Sequence, residues 1–308
     1  MEFSLTTMGT ASAHPIVNRY PSAHVLNIHG RLFLIDCGEG TQVQLCRCGF
    51  SFGKINEIFI SHLHGDHVFG IFGLLSTMSL IGRSAPLYIY APRDFSSILN
   101  FFLAHFGEGV KFTIEHKVLD CSAPEMIFES KSTEVYAFPL NHRISTFGFL
   151  FKEKEPKMNI FKDKVDGLTF GEMVRLKSGE DVIRDNGQIL AFKDYTYIPY
   201  KSRSAAYCSD TAPFEALPQW IKGVDLLYHE ATFASDRAEM AKATNHSTAL
   251  QAATVAKLSG AGQLIIGHYS SRYPDLTVLL EEARTIFPNT FLAKEGMKFE
   301  VSLQQYNE

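Results

Sequence analysis

Residues 61–70 read SHLHGDHVFG, which places His62, His64, Asp66 and His67 within six positions. Imidazole nitrogens and carboxylate oxygens are the donor set that holds zinc and its divalent neighbours. Gly65 frees the turn that lets these side chains leave one short loop, and packing alone gives no reason to gather them. Further polar residues follow runs that read as strands: His142 after VYAFPLN, Asp210 after AAYCS, His229 after DLLY and His268 after LIIG. In sheet-based α/β proteins, ligands collect where the loops leave the strand ends. A pair of divalent ions about 3.5–4 Å apart can share one carboxylate and takes about seven protein ligands. His62, His64, Asp66, His67, His142, His268 and a shared Asp210 supply that set. Such a pair lowers the pKa of a water to about 7 and clamps both oxygens of an in-line displacement. The residues therefore point to a binuclear metallohydrolase, with the substrate still open.

These side chains need a scaffold. HVLNI, the turn His29-Gly30-Arg31 and LFLID read as a β-hairpin, EIFIS as a strand and residues 68–81 as a helix. PLYIYAP, STEVYAFPL, TFGFLF, AAYCSD and DLLYHE are expected strands, and residues 248–258 an expected helix leading into QLIIGH. Each half runs from strands into mixed strand and helix, with no internal repeat in the primary sequence. At 308 residues and 45% hydrophobic composition, the chain can bury one large core or two tightly packed halves. A net charge of −4 advertises no polyanionic partner, although a local basic stripe suffices to hold a phosphate backbone. MEFSLTTMGT lacks the basic and apolar regions of a secretory signal, and the apolar window at 68–81 is too short to span a bilayer. Five cysteines, including a lone Cys46-x-Cys48, show no disulfide-scaffold spacing. The expectation is a reduced, cytoplasmic protein with no membrane partner. One stretch stands apart: from Lys152 to Lys193 apolar density falls and charges of both signs alternate. A segment of that length is a solvated subdomain, a lid or a binding arm.

SHLHGDH resembles the metal-binding motif of metallo-β-lactamase-fold hydrolases, and His142, Asp210 and His268 follow the family's ligand order. The resemblance implies an α/β fold over residues 1–308, an αββα four-layer sandwich with its site where the two sheets meet at one edge. DCGEGTQVQL, FPLNHR, YCSDT, HEATF, NHST and GHYSSRY, in that order from Asp36 to Tyr273, together resemble ribonuclease Z, the endonucleases that remove 3′ trailers from precursor tRNA. By that resemblance His62, His64 and His142 hold one zinc, Asp66, His67 and His268 hold the other, and Asp210 bridges. Two zinc ions per chain are implied, with manganese the alternative. Asp66 is also the proton acceptor for the attacking water. His246 is the general acid at the leaving 3′ oxygen, oriented by His229 and Glu230. A plainer reading of His246 is a polar neighbour of the cap residues Ser247 and Thr248.

The resemblance further makes residues 152–193 an inserted flexible arm that grips tRNA away from the cut, through Arg175, Lys177 and Gly179. The arm's usual Gly-Pro is replaced by Gly167-Leu-Thr-Phe-Gly-Glu172, and Phe72 stands where relatives often carry proline. Ser270, Ser271 and Arg272 would hold the phosphates flanking the scissile bond. A homodimer is implied, with one subunit's arm serving the other's site. The rival readings are a small-molecule metallohydrolase (phosphodiesterase or thioesterase) of the same superfamily and a catalytically silent RNA-binding relative. The position of the cut relative to an encoded CCA is not written in the residues.

Overall fold

The strand Phe3–Gly9 is buried at every position, and Arg31–Cys37 and Leu226–Glu230 are nearly or fully so. Strands without a solvent face need cover on both sides. The computed structural model describes residues 1–14 and 16–305, so Pro15 and residues 306–308 of the expected domain lie outside the described residues. Two seven-stranded sheets supply the inner cover. The first runs Met297–Glu300, Phe3–Gly9, Ala23–Ile28, Arg31–Cys37, Ile55–Phe59, Leu87–Pro92, Ile114–Leu119. The second runs Thr290–Leu292, Gln263–Gly267, Leu226–Glu230, Ser204–Cys208, Phe147–Glu153, Thr133–Pro139, Glu125–Glu129. In each sheet one half pairs antiparallel and the other parallel. That is the progression from strands to mixed strand and helix that the sequence suggests for both halves.

The facing sheets share an aromatic core. Phe33 and Phe59 of the first sheet meet Phe151 of the second at ring-centroid distances of 5.5 and 5.3 Å. Helices cover the outer faces: Gly70–Leu80 and Phe95–Phe106 on the first sheet, Ala249–Ser259 and Thr277–Ile286 on the second. The result is the expected αββα sandwich. The helix expected at 68–81 forms as two pieces, Gly65–Val68 and Gly70–Leu80. Gly70 lets the second piece start tightly against the Gly38 backbone, since a Cβ there would fall 2.0 Å from the Gly38 carbonyl oxygen. The helices Phe95–Phe106 and Thr277–Ile286 have no counterpart in the sequence reading. FSSILNFFLAHF hides its period because Phe101 and Phe106 are exposed among buried Phe95, Leu99 and Phe102. Among the described residues no helix is long and apolar enough to cross a membrane.

The charged segment leaves the strand Phe147–Glu153 and returns into Ser204–Cys208. Its outgoing Asn159–Ile160 pairs with Thr196–Tyr197, so the excursion closes beyond Lys193. Inside it, Phe170–Lys177 forms a helix started by a capping box in which Thr169 and Glu172 exchange hydrogen bonds. Leu176, Val182 and Leu190 give it a small core of its own. Its base is clamped by a buried ion pair, Arg203 to Glu153 at 2.7 Å, with His29 at 2.6 Å from the same carboxylate oxygen. Burial alone would raise the Glu153 pKa, but the Arg203 hydrogen bonds and charge hold it below the ordinary value. Removing one partner of a buried pair strands the other charge. Glu153→Gln should therefore destabilise the chain by about 3 kcal/mol in urea unfolding near neutral pH. A depressed carboxylate stabilises above its unfolded pKa, so the wild-type advantage should shrink as pH falls below about 4.5.

Candidate metal centre

The expected ligands arrive from separate strand ends. His62 and His64 follow the strand Ile55–Phe59, and Asp66 and His67 open the next helix. His142 follows Thr133–Pro139, Asp210 follows Ser204–Cys208, and His268 follows Gln263–Gly267. His268 sits at φ +60, a backbone state that costs a non-glycine residue about 1 kcal/mol and is tolerated where function demands it.

The ligand atoms converge in two groups. His62 Nε2 and His64 Nδ1 are 3.0 Å apart, His64 Nδ1 and His142 Nε2 are 3.4 Å apart, and Asp210 Oδ2 lies 3.5 and 3.8 Å from His62 and His142. On the other side, His67 Nε2, His268 Nε2 and Asp66 Oδ2 stand 3.4–3.5 Å from one another. Asp210 Oδ1 lies 3.5 and 3.3 Å from those same two nitrogens. With bonds of about 2.0–2.1 Å, tetrahedral geometry puts neighbouring ligand atoms about 3.3–3.4 Å apart. The observed spacings are edges of that size, and one carboxylate turns an oxygen to each group.

Hydrogen bonding leaves the right nitrogens open. His142 Nδ1 meets the Asn245 carbonyl oxygen at 2.9 Å, and His67 Nδ1 meets Asp36 Oδ2 at 2.8 Å, so both Nδ1 atoms carry the proton. Ser61 Oγ donates to Asp36 and so accepts from His62 Nδ1 at 3.0 Å. Thr232 Oγ1 donates to Glu230 and so accepts from His268 Nδ1 at 2.9 Å. Four imidazoles thus present a lone pair at Nε2, while His64 presents Nδ1. Asp210 is 2% exposed, and its Oδ1 accepts no hydrogen bond. His67 shows the same deficit of positive charge. Burial would keep it neutral, yet Asp210, Asp66 and Asp36 pull its pKa well above the ordinary value. A donor set of this chemistry and charge fits divalent cations.

The cluster opens into a cleft of about 520 Å³ lined by His64, Asp66, Asp210, His246, Ser270 and Arg272, among others. His246 Nδ1 bonds Glu230 Oε1 at 2.9 Å. Glu230 is fully buried and also accepts from the Thr211, Thr232 and Ser247 amides and the Thr232 hydroxyl. Burial works against a charged His246, but Glu230 and then Asp210 outweigh it and raise its pKa to about 9. The cap reading also holds in part, since Thr248 caps the helix Ala249–Ser259 while the preceding His246 faces the cleft.

His229 is placed differently from the expectation. Its ring is wholly buried, Nδ1 pairs with the Glu230 carbonyl oxygen at 2.7 Å, and Nε2 has no partner. Alternation along the strand turns His229 and Glu230 to opposite faces, so Glu230 alone reaches His246. In the charged segment, Arg175 bonds Glu180 and the Asp181 carbonyl, and Gly179 at φ +84 lies just beyond the helix end, so both serve its local fold. Lys177 is exposed. Asp36, Ser61, Thr232 and Asn245, which set the tautomers, were missed as such. Only Asp36 carried a signal, as the polar end of an otherwise apolar strand.

Solved structures share this arrangement of layers. The human short-form tRNase Z matches with a TM-score of 0.69 and 28% identity, covering 96% of this chain and 98% of that one. The metallo-beta-lactamase fold protein YhfI from Bacillus subtilis matches with a TM-score of 0.70 at 18% identity, covering 98% of this chain and 100% of that one. Fold and cluster together define a metallo-β-lactamase-fold protein with a site able to bind divalent metal. A family model described as Anti-Pycsar protein Apyc1 matches residues 3–154. "Ribonuclease Z" of Cytophaga hutchinsonii is 46% identical over 304 residues, 98% of this chain and 97% of that protein. "Ribonuclease Z" of Bacteroides fragilis strain YCH46 is 42% identical over 298 residues, 96% and 98% of the two chains. This chain belongs to the ribonuclease Z family. Asp36→Asn or Ser61→Ala should each lower divalent-metal affinity about 10–100-fold in chelator competition, because the ligand tautomers lose their partners.

Proposed function

We propose that this chain is a metal-dependent endoribonuclease that removes 3′ trailers from precursor tRNA and leaves a 3′-hydroxyl on the tRNA. The observation that carries the reading is His246, locked to Glu230 and facing the same cleft as the two ligand groups, in a chain related over nearly its full length to ribonuclease Z proteins. Two zinc ions per chain would be held by His62, His64 and His142 on one side and Asp66, His67 and His268 on the other, with Asp210 available to both. Bound there, they would supply a water acidified to a pKa of about 7 and positive charge against the phosphate oxygens.

The side chains divide the proton work. Asp66, at the cleft, takes the proton of the attacking water as the new P–O bond forms. The bond from phosphorus to the tRNA 3′ oxygen breaks, and His246 gives that oxygen its proton. Glu230 holds His246 by Nδ1, leaving Nε2–H as the donor. Ser270, at the cleft wall, accepts from Arg272 in hydrogen bonds of 3.4 Å, and the two form a donor site for a flanking phosphate. Residues 152–193 form the arm that grips the tRNA body, with Lys177 exposed for a phosphate. A homodimer acting in the cytoplasm, with each arm serving its partner's site, completes the reading.

The decisive test maps the product end on a trailer-bearing precursor tRNA, with and without chelator. A metal-dependent cut at the trailer junction supports the proposal. Hydrolysis of small diesters with the precursor left intact at low salt would defeat it. His246→Ala should lower kcat about 10²–10⁴-fold with tRNA binding retained. The acid must be protonated to act, so the wild-type rate should fall as pH rises through about 9, and His246→Ala should lose that limb. Deleting the arm should raise KM for tRNA and spare a small diester.

A further inference from the structure

Between the sheets, beneath the ligand cluster, lies a set of polar atoms that the proposed chemistry does not use. His24 projects from the strand Ala23–Ile28 with no exposed surface, and neither ring nitrogen has a hydrogen-bond partner. Tyr228 Oη and Ser22 Oγ are likewise buried and unpartnered. The His24 ring tilts against Tyr228 and Tyr207 at centroid distances of 4.4 and 5.3 Å, and the two phenols stack at 4.9 Å.

This group of side chains touches the cluster at two points. Tyr207 Oη donates at 2.7 Å to Asp36 Oδ2, the same oxygen that fixes the tautomer of His67. Tyr228 Oη lies against Gly267, where a Cβ would fall 2.2 Å from it, and Gly267 leads directly into His268. Burial pushes the His24 pKa down to about 3, with Asp36, His67 and His268 the charges it feels. His24 is therefore neutral, carrying one donor and one acceptor. Buried polar atoms left without partners are costly, and an ordered water is the usual remedy, bonding about three such groups.

We propose that His24 and Tyr228 hold an ordered water beneath the cluster, and that this buried pair positions His67 and His268 of the ligand set. The inference rests on the reading of that set as a metal site. One arm of the support runs through Tyr207 and Asp36 to His67. The other runs through Gly267 to the backbone of His268, whose ring stands 3.4 Å from His67. A histidine kept only for packing would gain from replacement by leucine, since an apolar side chain there leaves no donor unserved.

The test titrates zinc alone into the metal-free, full-length chain by chelator competition, alongside melting of the metal-free protein. His24→Leu and Tyr228→Phe should each weaken zinc binding about tenfold, and His24→Gln, which keeps a donor and an acceptor, should restore most of it. Metal-free melting should not fall for His24→Leu, which separates positioning from general stability. Unchanged zinc affinity in His24→Leu would overturn the proposal. Should that variant fail to fold, Tyr228→Phe decides by the same criterion, since it removes a single oxygen. Wild-type protein that takes up no zinc would overturn the metal reading and this inference together, whereas normal wild-type uptake with indifferent variants overturns this inference alone.

Discussion

Asp210 is a carboxylate that the fold removes from water, holds ionised and leaves with one oxygen unpartnered. Burial raises the cost of its charge, while His268, His67 and His62 hold its pKa well below the ordinary value. An ionised carboxylate in such a place needs compensating positive charge on both oxygens. Its two oxygens face two different sets of imidazoles, so one side chain imposes the division of the cluster into halves. The rest of the architecture can be understood as the means of bringing those halves to it.

The means are two sheets that end at the same edge. The first sheet contributes the HLHGDH loop and the second contributes His142, Asp210 and His268, so the cluster exists only where the sheets are packed together. The aromatic layer between them, with Phe33 and Phe59 against Phe151, sets that distance. Polar groups then fix the detail. Asp36 is the junction: it accepts from Ser61, His67 and Tyr207, and through them it ties a strand end of the first sheet to a ligand and to the second sheet. Burial would raise its pKa, but His67 above all keeps it below the ordinary value, so it remains an acceptor. Since His67 itself is drawn toward protonation by three carboxylates, the whole cluster is balanced for incoming positive charge.

Outside the cluster, specificity has separate supports. Glu230, with its five donors, presents His246 to the cleft, and the Arg203–Glu153 pair anchors the charged excursion where it leaves the second sheet. The proposed chemistry and the proposed grip on tRNA are thus carried by segments that share a sheet but have their own stabilising charges.

The ligand set was legible in the sequence because divalent ions accept few side chains, and because a strand followed by a polar residue marks a loop at a sheet edge. His62, His64, Asp66, His67, His142, Asp210 and His268 all converge as that reasoning expects. The main strands were legible through alternation and length. The helix Phe95–Phe106 was not, because its exposed phenylalanines blur the period. The standing of His229 was not legible either. Adjacent residues on a strand face opposite ways, and only the register of Leu226–Glu230 shows that Glu230 has the cleft side. Ser61 adjoins His62, but the other partners that choose tautomers lie far away in sequence: Asn245 is 103 residues from His142, Thr232 is 36 from His268 and Asp36 is 31 from His67. By itself the sequence determined which atoms could bind metal and which strands would carry them, since both follow from residue type and local period. Which nitrogen carries the proton, which face a side chain takes, and what lies beneath the cluster were decided by tertiary structure, because each depends on a contact between segments that only packing of the two sheets brings together.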